Sequence, residues 1–424
     1  MKSPILKTLA VVMIGVLMFF CGWFLRNDGW ERIKEDWTGK YRARPYPGFG
    51  PLALGPEGYY WGVNTDSDEM PGYLYKMKAD GSGWKIVHTF RPEGSRPVGI
   101  DPQGAVVFDG VDSMLGITAR GGGSGGNGTL YKVNVKTGDL TTLLEFTGGE
   151  GPHLGRVPRA PLVPDGLGYF WGSTMRGGTK ETGTIFKYHL ATGVLTTVVE
   201  MPDAPDAQTP SAILEYALTS DGKGGWWGST MHGGKADCGT IFKVKGDTGE
   251  LTTVVEFPEY HGGRKPTGSL VSDGQGFIWG MCSQGGQEYG GTVFKVDATP
   301  GALTTVVEFT REPGSNLGAC PQATLVDDGQ GFLWGSTTEG GSGDGGTLFK
   351  IDITSGVLTT VVEFHRDESR HKGYEPVGAL TSYGQGAFLG TTMHGGKRDA
   401  GTVFKVDVKT GVLTTLVEFG KVGP

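Results

Sequence analysis

GTTMHGGKRDAGTVFKVDVKTGVLTTLVEF, residues 390–419, is the stretch on which the fold turns. A β-branched run ends at a Gly-Gly pair, GTVFKVD follows, and a Lys-Thr-Gly turn leads into LTTLVEF. Alternating or β-branched runs bounded by Gly and Asp clusters are the signature of strands joined by hairpins. The stretch also recurs: GSTMRGGTKETGTIFKY starts at Gly172, GSTMHGGKADCGTIFKV at Gly228, GMCSQGGQEYGGTVFKV at Gly280 and GSTTEGGSGDGGTLFKI at Gly335. Weaker copies start at Gly62 (GVNTDSDEMPGYLYKM) and Gly116 (GITARGGGSGGNGTLYKV). Successive glycines stand 54, 56, 56, 52, 55 and 55 residues apart, which makes seven units.

A further short strand opens each unit, as GSLVSDG (268–274) does before FIWGMCS (277–283). Four antiparallel strands repeated at this length predict one propeller blade per unit. A lone blade leaves both faces wet, whereas stacking in a ring buries them. The expected fold is therefore an all-β, seven-bladed β-propeller over residues 47–424. The 77 glycines and 37% hydrophobic residues suit many tight turns, and a net charge of -7 gives no footprint for nucleic acid.

The pattern GTVFKVDxxTGxLTTVVEF resembles the bacterial tandem repeat called GloVer, of Gloeobacter and Verrucomicrobia proteins, in which repeat arrays carry a choice of surface-sorting anchors. The resemblance covers nearly everything after residue 47 and implies a propeller-like extracytoplasmic protein without an assigned activity. This chain departs from members with a C-terminal sorting tail, since it ends in LTTLVEF.

The N-terminal segment predicts an anchor at the front. Residues 9–25 (LAVVMIGVLMFFCGWFL) form a continuous apolar run after Lys2 and Lys7, and bulky Trp23, Phe24 and Leu25 at its end disfavour cleavage as a signal peptide. The expected organisation is a short cytoplasmic region 1–8, a transmembrane signal anchor 9–25, an extracytoplasmic linker 26–46 and the propeller. Trp23, Trp30 and Trp37 are candidate anchors at the membrane interface. Export led by the basic n-region places the propeller on the periplasmic or extracellular side of a bacterial inner membrane.

Function is expected on one end of the ring. If four antiparallel strands run down, up, down and up, the loops after second strands and the linkers between units all emerge on a top face, while the other end has only short turns. Variable loops on a rigid scaffold are where binding concentrates. The linkers PEYHGGRKPT (258–267), TREPGSNLGACPQ (310–322) and HRDESRHKGYEP (365–376) differ greatly. Before each Gly-Gly pair stand Arg120, Arg176, His232, Gln284, Glu339 and His394, the candidate interaction residues. They equally read as solvated loop residues out of mutual contact.

Trp61, Trp171, Trp227, Trp279 and Trp334 recur at one strand position, where Leu115 and Leu389 stand in two units; this is the mark of packing between blades, not of a ligand platform. Tyr60 and Trp61 are expected to pack on residues 378–389 where the ring closes. Cys282 and Cys320 belong to neighbouring units and form the candidate disulfide. No haem-attachment, nucleophile-elbow, metalloprotease or phosphate-loop motif is present, and no metal or cofactor is expected. The favoured expectation is thus a non-catalytic interaction module, an accessory subunit of a respiratory or photosynthetic membrane complex. The alternative is a glycan-binding protein or carbohydrate-active enzyme of the cell envelope using the mouth of the propeller.

Overall fold

A computed structural model describes residues 51–419 except 66–70, 92–98, 124, 203–213, 260–261, 287, 300, 312–316, 368–372 and 385. The expected segments 1–8, 9–25 and 26–46, with Trp23, Trp30 and Trp37, lie outside the described residues.

Each unit folds as an antiparallel sheet whose strands pair in chain order, giving seven blades. In blade 7 the split first strand (Gly373–Pro376 and Thr381–Gly384) pairs with the second (Ala387–Gly395), which pairs with the third (Thr402–Asp407) and that with the fourth (Leu413–Glu418). The first strand is split in the same way in blades 3 and 6. No strand is exchanged between the two ends of the described chain.

The repeated residues explain the blade. The glycine after the Trp position lies directly opposite the aromatic residue of the third strand: Gly62 faces Tyr75, Gly280 faces Phe294 and Gly390 faces Phe404. A Cβ at Gly280 would stand 2.5 Å from Phe294 Cζ and 2.8 Å from Leu270, so the absent side chain is what admits the ring. Neighbouring residues of a strand face opposite sides. Accordingly Phe294 packs back on blade 4 with Trp227 and Phe257, while Val293 packs forward on blade 6 with Leu325 and Phe349.

Seven apolar clusters result, one in every seam between blades. The Trp position always faces the next blade, and Leu115 and Leu389 fill it in blades 2 and 7. At the end of the fourth strand, the Phe of the VEF signature meets the next blade's third-strand aromatic: Phe146 on Phe186 (5.3 Å), Phe257 on Phe294 (5.2 Å), Phe309 on Phe349 (5.3 Å) and Phe364 on Phe404 (5.5 Å between centroids). Phe90 on Tyr131 repeats the pair, and so does Phe419 on Tyr75 across the closing seam. Burying such side chains stabilises by about 1.5–3 kcal/mol each.

The closing seam differs from expectation in one respect. Tyr60 packs on blade 7 with Leu389, Ala400 and Phe419, and Tyr60 Oη donates to the Ser382 carbonyl (3.4 Å). Trp61, the next residue of the strand, faces the other way and packs on blade 2 with Val106, Met114 and Tyr131. The Thr381 hydroxyl adds a hydrogen bond to the Leu52 carbonyl (2.7 Å).

Candidate functional site

In five blades the loop after the second strand begins where the Thr hydroxyls of two strands meet: Thr118 and Thr129, Thr174 and Thr184, Thr230 and Thr240, Thr337 and Thr347, Thr392 and Thr402, all at 2.8–2.9 Å. The Gly-Gly turn that follows is closed from two sides. An Asp in left-handed conformation accepts from the first glycine's N–H, as Asp237 does from Gly233 (2.8 Å) and Asp399 from Gly395 (2.9 Å). The Glu of VEF accepts from the loop backbone: Glu145 from Gly123 (2.7 Å), Glu200 from Thr179 (2.6 Å), Glu363 from Ser342 (2.6 Å) and Glu418 from Lys397 (3.0 Å). At the opposite end, Asp273 and Asp328 accept the indole N–H of Trp279 (3.0 Å) and Trp334 (3.1 Å). These repeated carboxylates are occupied by the scaffold, which leaves the chemistry to residues that depart from the repeat.

The six candidate residues occupy equivalent top-face positions, and four of them have a local side-chain partner. Arg120 bonds Asp101 (3.3 Å), and Arg176 and Gln284 stand opposite Arg156 and Arg264 in the sheet. His232 Nδ1 is 3.2 Å from Asp237, and Glu339 is 3.6 Å from Arg311 of the preceding linker. His394 has the richest surroundings. Its ring stacks on Tyr374 at 5.1 Å and 17°, Nε2 is 3.5 Å from Glu375, and Nδ1 is 3.7 Å from Asp399. Arg366 ties Glu375 (3.2 Å) to blade 6 by donating from Nε to the Asp344 carbonyl (2.6 Å). Tyr374 Oη donates to Asp399 (3.3 Å), and burial, followed by the nearby Asp399 charge, pushes its hydroxyl up to about 12. Tyr374 is therefore a donor at any physiological pH.

This gives a partly open cluster of two acids, a histidine, a guanidinium and an aromatic face, with His394 21% and Glu375 19% exposed. Such a set offers acceptors and donors to several hydroxyls and one flat surface to a ring, and its His–carboxylate pairs suit proton transfer. Among the described residues no three His, Cys, Asp or Glu side chains are placed to hold a metal. Sequence reading found His394 and missed Arg366, Tyr374, Glu375 and Asp399. One signal was present: an Asp follows five residues after the histidine in both units that have one, at 237 and 399.

The expected disulfide is corrected, since Cys282 and Cys320 are both free and buried. Cys282 occupies the position that other blades give to the paired Thr, opposite Thr292, whereas Arg311 Nη2 donates to Cys320 Sγ (2.8 Å) in the next blade. Burial pushes the Cys320 thiol up to about 12 and raises that of Cys282 as well.

The sequence profile of the Gloeobacter/Verrucomicrobia repeat matches residues 46–223 and 215–383. No curated protein matches the sequence. Solved structures share the fold at low identity. Puromycin hydrolase aligns at 14% identity and TM-score 0.56 over 90% of this chain and 55% of its own. The GH74 enzyme of Niastella koreensis aligns at 14% and 0.56 over 88% and 54%, and the periplasmic gluconolactonase of Pseudomonas aeruginosa at 16% and 0.52 over 88% and 95%. This chain spans about half the length of the first two.

Two expectations are corrected by these findings. A non-catalytic protein was expected because no familiar motif is present, yet these proteins of the same fold are enzymes by name, so a missing motif does not argue against catalysis. A single-pass inner-membrane location, expected from residues 9–25, is not supported: among the described residues, which do not include that segment, no helix is long and apolar enough to cross a membrane.

Proposed function

Given that this chain belongs to the Gloeobacter/Verrucomicrobia repeat family, we propose that it is a glycan-binding or carbohydrate-active protein that takes its ligand at the top face, at His394, Glu375, Asp399, Arg366 and Tyr374. The observation that carries the reading is the His394 cluster itself. Its carboxylates and guanidinium converge on a partly exposed ring pair, and apart from Asp399 they are not the residues the repeat uses to build blades. Carboxylates and Arg accept from and donate to sugar hydroxyls, and an aromatic face suits the apolar side of a sugar ring. If the protein is catalytic, His394 between Glu375 and Asp399 is the group placed to move a proton.

The accessory-subunit reading drew on residues 9–25 and on the missing motif. The first lies outside the described residues and the second no longer counts against catalysis, so the glycan reading is preferred.

Calorimetry of the full chain with cello- and malto-oligosaccharides of two to eight units, alongside an assay for new reducing ends, tests the proposal. Loss of a binding equivalent, or a fall in cleavage of at least tenfold, in His394→Ala and Glu375→Gln, with unchanged melting temperature, is expected. Wild-type binding that both variants retain in full would place the ligand elsewhere.

A further inference from the structure

The seam between blades 3 and 4 carries a second cluster of the same chemistry, and the repeat alone does not account for it. Arg159 of blade 3 is 3.5 Å from Glu215, the Glu215 carboxyl lies within electrostatic range of the His232 ring, and His232 pairs with Asp237 at 3.2 Å. Tyr216 follows Glu215, and its hydroxyl lies within electrostatic range of Glu215 and Arg159. Beside the His394 cluster the correspondence is close. Each has an Arg from the preceding blade or its linker, an adjoining Glu and Tyr, a His, and an Asp five residues after that His. Exposures match too: Arg159 28% and Arg366 40%, Glu215 23% and Glu375 19%, His232 14% and His394 21%, Asp237 and Asp399 both 34%.

Only the His and Asp are equivalent by repeat. Counting back from the Leu that packs in the seam (Leu218 in blade 4, Leu380 in blade 7), Glu215 is three residues before it and Glu375 five. The two clusters thus reach one composition from different strand positions, which simple duplication of a blade would not give. Tyr216 also stands where the chain elsewhere has Gly104, Ala160, Gly268 and Ala323, a place where a Cβ on Gly268 would meet the next blade's Ala323 carbonyl at 2.6 Å. A bulky residue at a position built for a small one marks a departure from the scaffold rule.

From this correspondence, and resting on the functional reading above, we infer that Arg159, Glu215, Tyr216, His232 and Asp237 form a second binding site for the same hydroxyl-rich ligand, so that the top face engages a polymer at two points three blades apart. Two tethered points on one chain raise apparent affinity without any new contact, because the second binding event becomes intramolecular. A polymer long enough to reach both sites therefore binds more tightly than short pieces of the same chain.

The test is calorimetry of the full protein with cello- and malto-oligosaccharides of two to eight units and with the soluble parent polymers of the series that binds. The expected result is two short oligosaccharides per protein, one in His232→Ala and one in His394→Ala, and at least tenfold tighter polymer binding that either substitution abolishes. Asp237→Asn replaces His232→Ala if the latter fails to fold. A stoichiometry of one in the wild type, unchanged by His232→Ala or Asp237→Asn and lost in His394→Ala, overturns the second site while leaving the first. Absence of binding by every probe overturns both.

Discussion

At the scale of single residues, the most demanding position in each blade is the glycine opposite the third-strand aromatic. Gly280→Ala sets a methyl group 2.5 Å from Phe294 and 2.8 Å from Leu270, both held in the seam with blade 4. Overpacking of this kind costs about 1–3 kcal/mol, and chemical denaturation of the variant should show a loss in that range. The VEF glutamates make a second test. Hydrogen bonds from Ser342 hold the Glu363 carboxyl below its ordinary value of 4.5. A depressed carboxyl contributes stability that is fully present above the unfolded value and is lost as pH falls through the lower native one. Glu363→Gln should cost about 0.5–1 kcal/mol at pH 7 for this exposed site, and the difference from wild type should vanish on acidification below the native value. An equal penalty at every pH would assign the effect to packing instead.

Strands and seams form the next scale, where alternation decides what each side chain meets. Trp334 is fully buried in the seam with blade 7 against Phe388, its indole N–H held by Asp328. Trp334→Ala should destabilise by about 3–5 kcal/mol, whereas Asp328→Asn, which keeps one acceptor for the Gln330 and Phe332 N–H groups but loses the one facing the indole, should cost about 1–2 kcal/mol; thermal melts of the two variants make the comparison. Much of this was legible beforehand. The repeated Trp, Gly and Thr-Val-Phe positions predict blades and their packing because strand period and seam burial act on every unit alike. Placing both Tyr60 and Trp61 in the closing seam overlooked the alternation of a strand. Pairing Cys282 with Cys320 overlooked that Cys282 faces the seam with blade 4, whereas Cys320 belongs to blade 6. The partners of His394 were legible only in part: Asp399 follows it at a spacing that His232 and Asp237 repeat, whereas Arg366 comes from a linker whose path no periodicity fixes, and Tyr374 and Glu375 lie in a short strand segment, Gly373–Pro376, that sequence reading counted as linker.

Over the whole molecule, the ring closes by face-to-face packing, with Tyr60, Tyr75 and Met77 of blade 1 against Leu389, Val403 and Phe419 of blade 7. Deleting residues 413–424 removes Phe419 and the fourth strand, so the shortened protein should lose its cooperative melt and bind a hydrophobic dye. Closed rings of this kind provide a stiff platform, and stiffness is what allows side chains from different blades and linkers to hold one ligand geometry. On the proposed reading the blades are scaffold, and the ligand is held by the top-face residues that depart from the repeat. Hydrogen–deuterium exchange of the full chain, with and without the tightest-binding oligosaccharide, tests it most directly. New protection is expected at residues 373–376 and 394–399, with the bottom turns 272–277 and 407–411 unchanged. Protection confined to those bottom turns would contradict it.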